Sequence, residues 1–209
     1  MSLADTIVRA ALDATPLATS ALASWRAHLY PLDAEGEVKA WAGLIPGRSA
    51  HSTCGTHALA CYREAGVDGR LARPWGPIAD VLAAYGPLTV RGGAIAALET
   101  LARDHGAYRA PSEAGEVCPG AVVVVGPSEY TSSPHAIVVT DVGQPTGGYV
   151  PLVTSEGGQP GARGPTDVRE RARELRELSP GAWVLRDRGA ASRGRQVLYW
   201  VDPARLRSV

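Results

Sequence analysis

The chain has 209 residues, enough to bury a full core in one generous domain, and its 21 basic and 21 acidic side chains cancel. That balance gives no argument for nucleic acid or an anionic membrane surface as partner. Three cysteines are too few and too odd in number for a disulfide framework, so they are read as thiols.

Asp5, Arg9 and Asp13 interrupt the N-terminal stretch, so it does not read as a secretory leader, and no later run approaches bilayer-spanning length. The expectation is a soluble chain made in the cytoplasm, reaching the outside only by lysis or a secretion machine. Segments 3–12 and 17–29 read as helices, the second started by Pro16 and ended by Pro31. They define an expected N-terminal helical arm over 1–46, ahead of a domain over 47–209.

The stretch Ser52-Thr53-Cys54-Gly55-Thr56-His57-Ala58-Leu59-Ala60-Cys61-Tyr62-Arg63-Glu64-Ala65-Gly66 carries small or apolar residues at Cys54, Ala58, Cys61, Tyr62 and Ala65. That spacing makes one buried helical stripe. Ser52 or Thr53 caps it and Gly66 stops it, which predicts a helix over 54–65 with Cys54 in its first turn. A thiol there meets the positive end of the helix dipole, which lowers its pKa and favours the nucleophilic thiolate. Further helices are expected over 78–85 and 93–104, closed by Gly86 and Gly106.

Beyond residue 119 the period becomes strand-like. The run 121–125 is continuously apolar between Pro119-Gly120 and Gly126-Pro127, as for a strand buried on both faces. Strands follow over 133–141 and 149–155, joined by the turn-rich loop 143–148, and the last lies over 195–202. Between them, 166–178 has Arg or Glu at every second or third position and reads as a solvated helical insertion near 164–180, laced by i, i+4 pairs. Helices first and an antiparallel sheet after them make an α+β arrangement.

Folding the hairpin about the middle of its loop sets His135 opposite Glu156, and opposed residues share a face of the sheet. A bulge after Ser155 would bring in Gln159 instead. A cysteine nucleophile needs a base, and the base needs a third group to orient it. Cys54, His135 and either Glu156 or Gln159 supply those types. The backbone at Cys54, with His51 or Ser52, would form an oxyanion hole. Cys61 and Cys118 read as core packing. Cys54, His57 and Cys61 with His135 or Cys118 would make a zinc face, but the paired short cysteine spacings typical of zinc sites are absent, so no metal or organic cofactor is implied.

The order STCGTHALACYREAGV, PGAVVVVG, SPHAIVVTDVG, SEGGQ and QVLYWVDPARL resembles the papain-like cysteine peptidases, most of all the NlpC-type and CHAP cell-wall hydrolases. The resemblance spans about 47–206. It implies a papain-like α+β domain with the nucleophile helix packed on an antiparallel sheet. By position it implies Cys54 as nucleophile, His135 as base and Glu156 or Gln159 as third residue. The implied activity is cleavage of peptidoglycan peptides, as endopeptidase or amidase, through a thioester acyl-enzyme. Thr-Cys-Gly replaces the usual context of the nucleophile in those families, and two rival readings stand beside this one: an effector or toxin acting on a protein substrate, and a non-catalytic binding module.

Overall fold

A computed structural model describes residues 2–13, 54–67, 93–127, 134–161, 164–190 and 193–207. Among the described residues three α-helices, α1 (Leu3–Asp13), α2 (Cys54–Glu64) and α3 (Gly93–Asp104), precede the strands. The strands are β1 (Tyr108–Arg109), β2 (Val122–Val125), β3 (His135–Val142), β4 (Tyr149–Gly161), β5 (Gly164–Ser179), β6 (Ala182–Asp187) and β7 (Arg195–Val201). The expected helices over 17–29 and 78–85 lie outside the described residues.

Strand order is β1-β7-β2-β3-β4-β5-β6, and β6 pairs again with β7. That last pairing closes six antiparallel strands into a barrel, with β1 as an outer addition to β7. The papain-like α+β expectation, a helix packed on an open sheet, is therefore corrected: the core is a closed barrel, and strands dominate it. Closure leaves no free edge on these six strands and gives them two buried environments.

Inside the barrel stand Val123, Val125, Ile137, Val139, Val150, Leu152, Leu175, Trp183, Leu185, Val197 and Trp200. On the outer face Val122, Val124, Ala136, Val138, Tyr199 and Val201 pack against Ile7 and Ala11 of α1, Ala58, Leu59 and Tyr62 of α2 and Leu98 and Leu101 of α3. This double burial is why β2 reads Val-Val-Val-Val without alternation, and all four residues are fully buried. Helix α1 is part of this outer core through Ile7 and Ala11.

The charged segment 166–178 is strand β5, not a helix. Its charges pair across strands: Arg173 lies opposite Asp187 and Glu174 opposite Arg186 in the β5–β6 register, and both pairs are ion-paired. An Arg/Glu-rich run satisfies i, i+4 helical spacing and cross-strand pairing alike. Here the long flank of β4, with Leu152 opposite Arg173 and Val150 opposite Leu175, decides for the strand. Leu175 is then buried inside the barrel.

The β3–β4 hairpin turns at Gly147 and Gly148, both with positive φ (57° and 78°), the requirement of a two-residue type I′ turn. Its register is Val142 opposite Leu152 and Asp141 opposite Val153, then Val139 opposite Thr154 and Val138 opposite Ser155, with Thr140 as the bulged residue. Continued, this register sets Ile137 rather than His135 across from Glu156. The two-residue shift preserves parity, so His135 and Glu156 still share the barrel-interior face as diagonal neighbours.

Candidate active site

The barrel interior is apolar along its length and polar at one mouth. Strands β3 and β7 begin there, β6 ends there and the longer β4 and β5 run past it, contributing His135 from β3, Glu156 from β4, Arg173 from β5, Asp187 from β6 and Arg195 from β7. Arg195 lies opposite Leu185, an interior residue, and Arg173 two residues before interior Leu175, so all five belong to one face. Helix α2 lies against the outside of β3 and β4 and brings its first residue, Cys54, to the rim.

Cys54 is a thiol outside any disulfide, 3 % exposed, and its side chain shares a hydrogen bond with His135. Nε2 of His135 lies 3.1 Å from Oε2 of Glu156. Against a carboxylate Nε2 carries the proton, which leaves Nδ1 as the nitrogen for the sulfur. Burial pulls the imidazole pKa down, but hydrogen bonds to Cys54 and Glu156, with the charge on both, outweigh it and raise it to about 9. His135 in this setting holds its proton at neutral pH.

Glu156 is fully buried yet ionised. Burial alone would push its carboxyl up. The hydrogen bonds to His135 and Arg173, reinforced by their charges, hold it far below the usual carboxylate range. Arg173 grips it with two bonds, Nε to Oε1 at 2.6 Å and Nη2 to Oε2 at 2.7 Å, and the Thr154 hydroxyl donates to Oε1 at 2.8 Å. Arg173 in turn donates through Nη1 to Asp187, which also accepts from Arg171 Nη2 at 3.0 Å. The result is a file from thiol to imidazole to carboxylate to guanidinium to carboxylate, ordered by charge at each step.

His57, one turn along α2, looks away from this file. It is fully buried, and its Nε2 lies 3.0 Å from Ser155 Oγ, whose hydroxyl donates to the Ala11 carbonyl at 3.1 Å. Since the serine proton is spent on Ala11, His57 Nε2–H is the donor to Ser155. Burial lowers the His57 pKa to about 4, Glu156 opposing and His135 adding to the effect, so the ring is neutral. Cys61 Sγ stands 3.9 Å from both ring nitrogens, in the packed core. Cys118 is half-buried. Among the described residues no three metal-ligating side chains converge.

Of the residues singled out from sequence, the structure thus joins Cys54, His135 and Glu156. Gln159 lies further along β4, opposite Asp167 in the β5 register, and His51 and Ser52 lie outside the described residues. Sequence reasoning missed Thr154, Arg173, Asp187 and Arg195. The signal for Arg173 was present in the period-two series Arg169, Arg171, Arg173, Leu175, which becomes visible once 166–178 is read as a strand. No protein-family model, curated protein or solved structure matches this chain. No helix among the described residues is long and apolar enough to cross a membrane.

Proposed function

We propose that the chain is a cysteine-dependent amide hydrolase acting through a thioester acyl-enzyme on the peptide part of peptidoglycan. The observation that carries the chemistry is the Cys54–His135–Glu156 file, with a buried ionised carboxylate behind an imidazole that shares a hydrogen bond with a helix-start thiol. This reading belongs to the site and does not depend on an open-sheet fold. The substrate class rests on the resemblance of the residue order to that of the NlpC-type and CHAP cell-wall hydrolases.

In this reading the resting site is an ion pair, with the proton on His135, whose pKa is raised to about 9, and the negative charge on sulfur. Cys54 attacks the amide carbonyl, and the positive end of α2 is where the developing oxyanion gains stabilisation. His135 delivers its Nδ1 proton to the leaving nitrogen, the C–N bond breaks and a thioester forms. Water then attacks the thioester with His135 taking its proton, and the thiolate departs. Through both halves Glu156 keeps Nε2–H fixed and the ring oriented, while Arg173 and Thr154 keep Glu156 ionised and in place.

The test is digestion of purified peptidoglycan by wild type, Cys54→Ala and His135→Ala, with released muropeptides read by mass spectrometry. Release by wild type and by neither variant is the expected result, and the product masses identify the bond. No release by wild type overturns the wall substrate. Release by Cys54→Ala overturns the acyl-enzyme.

A further inference from the structure

His57 takes no part in the proton transfers, yet it joins the helix that carries the thiol to the strand that carries the carboxylate. On α2 it stands three residues after Cys54, within one turn and about 4.5 Å along the helix axis. On β4 its partner Ser155 is the immediate neighbour of Glu156, and strand alternation turns the serine outward to the helices while the glutamate faces the barrel interior. His57 Nε2 meets Ser155 Oγ at 3.0 Å, and the serine hydroxyl donates at 3.1 Å to the Ala11 carbonyl, in the last turn of α1. His57, Ser155 and Ala11 are all fully buried, so water does not compete for these bonds. One serine thus ties α1 and α2 to β4 a single residue away from Glu156. Ala58, Leu59 and Tyr62 hold α2 to the barrel by apolar burial, which is non-directional and tolerates small slides of a helix. A hydrogen bond has both a distance and an angle to satisfy, so the His57–Ser155 bond selects one position for the helix.

We propose that His57, acting through Ser155, is a positioning residue for the Cys54 thiol: it locks the first turn of α2 to β4 beside Glu156 and so fixes the sulfur against His135. The inference rests on Cys54 being the nucleophile. Thiol and His57 move together on one rigid helix, and Ser155 and Glu156 move together on one strand, so a single buried bond sets the distance between the two halves of the site. Its loss lets the sulfur drift from the imidazole, and a misplacement of about 1 Å is enough to lose a large part of the rate.

The experiment follows alkylation of the intact chain by neutral iodoacetamide against pH, with Cys54 and Cys118 labelling quantified separately by peptide mass spectrometry. Wild type, His57→Gln, His57→Leu and Ser155→Ala are compared, and circular dichroism checks that each is folded at the assay temperature. The Leu and Ala variants lose the bond from opposite sides, whereas the glutamine amide can donate an N–H to Ser155 in place of the imidazole. The expected result is a Cys54 profile shifted up by about one pH unit in His57→Leu and Ser155→Ala, which is about a tenfold slower rate on the acid side, with His57→Gln close to wild type. Cys118 stays unchanged. An unshifted Cys54 profile in either folded variant, His57→Leu or Ser155→Ala, overturns the proposal while leaving Cys54 as nucleophile. A shift in His57→Gln as large as in His57→Leu also overturns it, because it assigns the effect to a general loosening of the core. Labelling of wild-type Cys54 no faster than Cys118 overturns the nucleophile itself, and the positioning role with it.

Discussion

Replacing Arg173 by methionine removes both of its bonds to Glu156 and takes the guanidinium away from a fully buried carboxylate that still meets His135 and Thr154. Breaking a buried ion pair on one side costs about 3–5 kcal/mol, because the remaining charge stays desolvated. Asp187, the other partner of Arg173, is 45 % exposed, and its share is screened by solvent, so the lower end, about 3 kcal/mol, is expected. The Arg173→Met, Glu156→Gln double variant removes the stranded charge, so the coupling between the two sites should recover about 2 kcal/mol. Urea unfolding at pH 7.5, followed by far-UV circular dichroism, measures all three variants. The same series has a pH arm. A carboxyl depressed in the folded state contributes stability above its unfolded value near 4.5, and that stability drains away as pH falls below it. Arg173→Met should flatten that acid loss. A cost below about 1 kcal/mol, or strict additivity in the double variant, would refute the view of Glu156 as a buried anion held by Arg173.

Glu156→Gln removes a support of the raised imidazole pKa, so the alkaline limb of kcat/KM, expected near pH 9 in the wild type, should move toward neutrality, and kcat should fall about a hundredfold or more; an unmoved limb would contradict the assignment. His57 is neutral when folded, with a pKa of about 4 against 6.5 unfolded, so the wild type should lose about 3 kcal/mol of stability as pH falls from 6.5 to 4. His57→Gln should be less stable at pH 7.5 but lack its part of that slope in urea titrations at several pH values. Ser155→Ala removes the two buried hydrogen bonds that link His57 to the Ala11 carbonyl, at a cost of about 1–3 kcal/mol, and hydrogen exchange should quicken at the C-terminal end of α1 first.

Local sequence already contained the proposed nucleophile, Cys54, and its proposed base, His135. Cys54 begins a helix because the apolar stripe, the polar residues before it and Gly66 after it are local signals, and Gly66 does adopt φ 73°. His135 begins a strand for similar reasons, and Gly147-Gly148 sets the hairpin turn within a residue or two. Because strand side chains alternate with period two, a register error of two residues left His135 and Glu156 on one face. Pairing them required only parity, which the sequence carries. Only the tertiary structure decided that 166–178 is a strand, since Arg and Glu suit a solvated helix as well as a ladder. The choice came from the pairing partners on β4 and β6, the strands on either side of it in the chain, which the segment read by itself does not contain. Barrel closure was equally invisible, because β7 pairs not only with its chain neighbour β6 but also with β2, and setting Val201 opposite Val122 is a long-range event with no local signature. Closure places Arg173, Asp187 and Arg195 around the same mouth as His135. Helix and strand starts, being short-range, were therefore legible in the chain, whereas the charges that keep Glu156 ionised come from strands brought together by the fold.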